Sequence, residues 1–256
     1  NSLYNNTTGS FNTAIGNGAL YDNTTGDNNT AVGREALANN TTANNNTAVG
    51  YHSLNATITG TAATAVGAFS ARYNTTGQIT ALGYAALENN TTGGTSTAVG
   101  VGALRAQTTG TGNVAVGSEA MRFNTTSVSG TAVGHAALYS QTSGATGNIG
   151  LGYNAGYSIT SGDYNVIIGT EAVNNGAMTG SHNIGIGYRV LRSSTSGTHN
   201  IAIGREALTA NTTGQYNVAI GYEALEANTS GQQSVVIGYQ AGRVSTTGSE
   251  RTLIGY

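Results

Sequence analysis

The chain repeats itself. A unit close to N-T-A-V-G-x-x-A-L-x-x-N-T-T-G recurs from one end to the other. One glycine marks its phase: Gly16, Gly33, Gly50, Gly67, Gly83, Gly100, Gly117, Gly134, Gly152, Gly169, Gly187, Gly204, Gly221, Gly238 and Gly255. Eleven of the fourteen spacings are 17 residues, one is 16 and two are 18. A repeat this short cannot bury an apolar face alone, so its stability must come from copy stacked on copy. A single continuous array over residues 1–256, of fifteen coils, is expected. It replaces the one or two globular domains usual at this length.

The residue before each phase glycine is Val, Ile or Leu. Two residues further back stands Thr from Thr13 to Thr97 and Val or Ile from Ile149 to Val235. β-Branched residues with a period of two are the signature of a strand. Four residues after the glycine comes a second apolar position, usually Leu, which is expected to open a second extended stretch. That stretch closes on Asn-Thr-Thr-Gly or a near variant of it, with Gly26, Gly77, Gly110, Gly214 and Gly231 expected to supply the positive φ of a turn. The three irregular spacings fall beside such turns and never in an apolar position, as insertions absorbed by loops should. The expected fold is all-β: a parallel β-solenoid, or β-roll, of about fifteen 17-residue coils, each with strand, corner, strand and turn.

The alternation leaves open which strand face lies inside. Placing the large residues there gives an expected core of two facing ladders. One is Ile15, Val32, Val49, Val66, Val99, Val116, Val133, Ile168, Ile186, Ile203, Ile220 and Ile237; the other is Leu20, Leu37, Leu104, Leu138, Leu208 and Leu225. Ala14, Ala31 and Ala48 then form, with the phase glycines, a flat outer face suited to a subunit contact. Asn recurs four residues before the phase glycine, at Asn12, Asn29, Asn46, Asn113, Asn148, Asn165, Asn183, Asn200 and Asn217. Stacked amides can bond along the array axis. Such polar ladders are expected to supply cohesion that a 38% hydrophobic composition does not.

Composition excludes several classes. No apolar run approaches the length of a membrane span, so no membrane insertion is expected in this segment. There is no Cys for a disulfide framework, and nine scattered Arg against eleven acids make no basic patch for nucleic acid. No cofactor, metal or catalytic residue is expected. Glu35, Glu119, Glu171, Glu206 and Glu223 share one corner position and read as solvated charges. His182 and His199 could stack one coil apart, but two imidazoles without a third ligand are a weak metal signal. Asp is too rare for a calcium β-roll, and Gly-rich strings such as Gly147–Gly152 lack the following helix and Lys of a phosphate loop.

The sequons at Asn23, Asn74, Asn124, Asn211 and Asn228 read as turn chemistry ahead of glycosylation. Tyrosine recurs one residue past the phase glycine. Tyr222, Tyr239 and Tyr256 stand in consecutive coils, where rings could pack along the array or grip sugars. Tyr188, Tyr222 and Tyr239 are the candidate surface ligand contacts.

The unit resembles the head repeats of YadA-like trimeric autotransporter adhesins, whose core pattern is N-S-x-A-I-G-x-x-S/A. The stretches Asn200-Ile-Ala-Ile-Gly204 and Asn217-Val-Ala-Ile-Gly221 carry the match. Phage tail-fibre proteins contain similar repeats. The resemblance covers all fifteen units and implies a left-handed β-roll, assembled as a trimer and used for surface attachment. The expected function is that of a non-catalytic structural fibre, on a cell or virion surface and extracellular, partnered by further copies of itself as a trimer or an end-to-end filament, and by a host surface or glycan. Without terminal caps, a segment of a longer fibre is expected. The alternatives are an ice-binding solenoid, motivated by the Thr column, and a carbohydrate-binding repeat module.

Overall fold

The structure, a computed structural model, describes all residues from 1 to 256. It contains fifteen three-residue strands and no helix. The chain divides into two compact units, Asn1–Val128 and Ser129–Tyr256. The first holds β1 (Thr13–Ile15), β2 (Thr30–Val32), β3 (Thr47–Val49), β4 (Thr64–Val66), β5 (Thr80–Leu82), β6 (Thr97–Val99) and β7 (Val114–Val116). The second holds β8 (Thr131–Val133), β9 (Ile149–Leu151), β10 (Val166–Ile168), β11 (Ile184–Ile186), β12 (Ile201–Ile203), β13 (Val218–Ile220), β14 (Val235–Ile237) and β15 (Thr252–Ile254). Within each unit consecutive strands pair in parallel, with like positions in register: Ala31 lies beside Ala48 and Ile203 beside Ile220. The fold is the expected β-solenoid. Register also survives the irregular coils, where Val66 faces Leu82, Thr131 faces Ile149 and Ile168 faces Ile186.

Each coil has one strand where two were expected. After Gly33, residues 34 to 39 form a run of turns, because Glu35 (φ 55°) and Leu37 (φ 50°) are left-handed. Left-handed backbone costs a non-glycine residue roughly 1 kcal/mol. Burying a leucine stabilises by roughly 1.5–3 kcal/mol, so a Leu that fills the core can hold that conformation. The backbone ladder continues through these turns. Leu20 N–H donates to the Ala36 carbonyl at 3.0 Å, Asp22 N–H to Ala38 at 2.9 Å and Thr24 N–H to Thr41 at 2.9 Å. Every side of the coil is therefore hydrogen-bonded to its neighbour, which satisfies backbone groups that a bare loop would leave to water.

The strand faces are reversed from the expected assignment. Ala31, Ala48, Ala65, Ala98, Ala202 and Ala219 are fully buried. The ladder of Ile15, Val32, Val49, Val66, Val99, Val116, Val133, Ile168, Ile186, Ile203, Ile220 and Ile237 points outward, and none of its members is buried. The leucine half of the expected core is correct: Leu20, Leu37, Leu104, Leu138, Leu208 and Leu225 are buried. The reason is the narrowness of the coil. A Cβ added to Gly150, at the middle of β9, would lie 2.8 Å from Leu138 Cγ. Opposite a Leu the mid-strand position is usually Ala, and the buried Val236 of β14 occurs where Gly242 stands in place of the Leu. Ile167 fits there because its register neighbours are Gly150 and Gly185.

The turn glycines Gly26, Gly77, Gly110, Gly214 and Gly231 do not take positive φ. They are required by close approach: a Cβ on Gly26 would lie 2.4 Å from the Ala43 carbonyl oxygen of the next coil. Positive φ belongs to the phase glycines, as at Gly33 (φ 132°), where a Cβ would also meet the Gly50 backbone at 2.6 Å.

Two amide columns complete the interior. At the first, Asn29 Oδ1 accepts the Asn46 N–H at 3.0 Å, and Asn29 Nδ2 donates to the Ala43 carbonyl at 2.8 Å. The second is formed by the Asn of Asn-Thr-Thr-Gly. Asn23 Nδ2 donates to Asn6 Oδ1 at 2.8 Å and Asn228 Nδ2 to Asn211 Oδ1 at 3.0 Å. Where that column turns apolar, Ile159 and Met178 form a parallel bridge and are fully buried.

Candidate interaction surface

The reversed strand faces create the main exposed surface. In the unit Ser129–Tyr256, strands β9 to β14 present two outward columns that are both aliphatic: Ile149 through Val235 and Leu151 through Ile237. Ile186 and Ile237 are each 36% exposed and Val235 is 38% exposed. No charged side chain stands in either column. In β1 to β6 of the unit Asn1–Val128 the same face pairs Thr with Val, Ile or Leu, and in β7 it carries Val114 and Val116. Thr13, Thr30, Thr47, Thr64, Thr80 and Thr97 stand on the outward side with the aliphatic column. Ala and Gly were expected to form this outer face; the aliphatic residues take their place.

The corner one residue past the phase glycine carries the aromatic columns. Tyr222 stacks on Tyr239 with ring centroids 5.1 Å apart, and Tyr239 on Tyr256 at 5.4 Å. Tyr188 lies under two guanidinium groups, with Arg189 at 4.8 Å and Arg205 at 5.6 Å; Arg205 is also 5.6 Å from Tyr222. Neighbouring rings and cations thus occupy the faces of Tyr188, Tyr222 and Tyr239, leaving mainly their edges to solvent. His182 and His199 stack at 5.0 Å between Tyr164 and Tyr216. This column lies five residues before the phase glycine, on left-handed backbone.

Charges sit at the turns. Glu206, Glu223 and Glu226 bring carboxylate oxygens within 4.8 Å of one another and could hold a cation. That role is already filled by Arg243, whose Nε lies 3.0 Å from Glu223 and 2.7 Å from Glu226. Hydrogen bonds from Tyr222 and Gln240, reinforced by Arg243 and Arg205, hold the Glu223 carboxyl below the usual carboxylate range. In the other unit, His52 is covered on its edge by Tyr51 and on its face by Phe69. Burial pushes its pKa down; Glu35, 3.3 Å away, opposes that, and Arg72 and Arg34 add to it. Of the other corner acids, Glu119 pairs with Arg122 and Glu171 with Arg189.

The sequon asparagines Asn23, Asn74, Asn124, Asn211 and Asn228 are buried. Their amides belong to the interior column, so the folded chain offers none of them to a glycosylating enzyme. No helix is long and apolar enough to cross a membrane. No family model matches the chain, and no curated protein matches it.

Proposed function

We propose that this chain is a structural, non-catalytic segment of an extracellular fibre, an adhesin or tail fibre on a cell or virion surface, that self-associates and serves attachment. The observation that carries the reading is the pair of uncharged aliphatic columns on β9 to β14. A contiguous exposed apolar stripe of this kind marks an interaction surface. Because its residues repeat in register, a second copy offers an equally regular partner. Cyclic assembly through one repeated patch is the ordinary route to closed oligomers, and the resemblance to YadA-like heads favours three chains. Attachment would follow from multivalency, in which weak contacts repeated along a rigid array gain strength together.

Sedimentation of the chain and of the double variant Ile203→Asp, Ile220→Asp tests the reading. A discrete oligomer that falls to monomer in the variant, together with adhesion of chain-coated beads to cells, is the expected result. A wild-type chain that stays monomeric at high concentration and coats beads without adhesion would sink it.

A second reading, ice binding, draws support from the outward Thr column of β1 to β6. Those six threonines stand one coil apart beside an aliphatic column on a face without charge. A thermal-hysteresis assay decides it, since activity no greater than that of a control protein removes the reading.

A further inference from the structure

A cavity of about 340 Å³ opens on the turn side of the unit Asn1–Val128. It exists because two positions that carry larger side chains in other coils are small here. Gly18 stands two residues after its phase glycine, where later coils have Glu35, His52 and Phe69. Ala38 stands five residues after Gly33, where other coils carry Arg72, Arg105 or Tyr157.

The aromatic column shows what the gap exposes. Tyr4 and Tyr21 stack with centroids 5.2 Å apart and ring planes 8° from parallel. The next place in that column is Ala38. Tyr21 therefore has one face covered by Tyr4 and the other turned to the cavity that it lines. Around this bare ring lie uncommitted polar groups. Asp22 accepts from Asn5 through Oδ1 at 2.9 Å, which leaves Oδ2. Asn55 donates to the Glu35 backbone carbonyl at 3.0 Å, which leaves its own Oδ1. Asn17 and Asn39 also line the space.

We infer that this cleft binds a single sugar ring of a neutral saccharide. An apolar ring face beside convergent carboxylate and amide groups matches a pyranose, which has a C–H face and a rim of hydroxyls that both donate and accept. The volume is at the small end of ligand pockets, roughly 300–1,000 Å³, as a single sugar ring requires. A divalent cation fits poorly. Such ions gather about six to eight oxygens with several carboxylates, whereas Glu35 is already engaged by Arg34 at 3.2 Å and His52 at 3.3 Å. Asp22 is then the one carboxylate free to serve a ligand.

The inference names a ligand class for the attachment reading and rests on that reading for its biological use; the binding itself does not depend on it. The full chain is titrated with soluble trisaccharides of glucose, galactose, mannose and N-acetylglucosamine, following tyrosine ring resonances and heat. Calcium chloride alone is a separate arm, and sedimentation is run on the same samples. At least one trisaccharide is expected to bind with a millimolar or tighter Kd and to shift the Tyr21 ring. Ala38→Tyr, which extends a stack this fold already accommodates, should weaken binding more than tenfold with unchanged thermal midpoint and oligomeric state, as should Tyr21→Ala. Failure of every trisaccharide to bind, equal binding by Ala38→Tyr, or the same ring shift from calcium alone would overturn the site. Loss of the pocket with self-association intact removes this inference only. Sugar binding by a chain that neither assembles nor adheres removes the fibre reading only.

Discussion

Asn40 Nδ2 donates to Asn23 Oδ1 at 2.6 Å, from one coil to the one before it, with both residues fully buried. This is the repeating bond of the second amide column, and it shows why a chain so rich in Asn holds a core. A buried amide left without a partner costs roughly 1–3 kcal/mol, while a paired one contributes roughly 1 kcal/mol. The column therefore binds coils together where its members are alike and weakens where they change.

Such a change occurs at Thr57, which follows Asn40 in the column and donates its hydroxyl to the Asn74 backbone carbonyl at 2.9 Å. Asn40 Oδ1 is left buried and unpaired. Thr57→Asn places an amide where Asn40 can accept from it, and should raise stability by about 1 kcal/mol in urea unfolding. A loss of stability would show that the column is not limited by pairing.

Gly93 and Gly94 are neighbours with opposite expectations. A Cβ on Gly93 would lie 2.3 Å from the Gly110 carbonyl oxygen, whereas one on Gly94 meets nothing within 4 Å. Gly94→Ala should be neutral or stabilising by about 0.4–1 kcal/mol, through the lost freedom of the unfolded chain. Gly93→Ala should cost more than that range in stability and push the two coils apart. Thermal melts of the two variants check both, and equal midpoints would contradict the close packing of coils.

The reversed strand faces give a paired test at Ala48 and Val49. Ala48→Leu forces extra methyl groups against the Leu column and should cost roughly 1–3 kcal/mol. Val49→Ala, on the outer face, should cost less than about 1 kcal/mol in the unassembled chain. Unfolding curves in which Val49→Ala is the more damaging would return the core to the opposite face.

His52 should make stability depend on pH. Its folded-state pKa is lowered from 6.5. Above that value the imidazole is neutral in both states. As pH falls from about 6.5 toward the folded value, the unfolded chain gains a proton that the folded chain refuses, so stability drops. Below the folded value both states are protonated and this contribution levels off. The thermal midpoint of wild type should therefore fall more steeply than that of His52→Gln between pH 7 and pH 5, and parallel curves would refute the effect of burial.

How much of this was legible beforehand is clear from particular residues. The spacing of the phase glycines, the alternation around Ile203 and the turn-forming Asn-Thr-Thr-Gly are local patterns, and they determined that the chain stacks as parallel coils in register. The Leu column, the Tyr222–Tyr239 stack and the His182–His199 stack follow from that register alone, because identical positions must meet. Alternation cannot say which face is inside, since a period of two is unchanged when inside and outside are exchanged. That was decided by the distance between opposite walls of one coil, which leaves room for Ala48 against Leu37 and sends Val49 out. The left-handed Leu37 carries no local signal, because its conformation is stabilised by burial that only the finished coil provides. The gap beside Tyr21 likewise depends on Gly18 and Ala38, which are distant in the chain and meet only when coils stack.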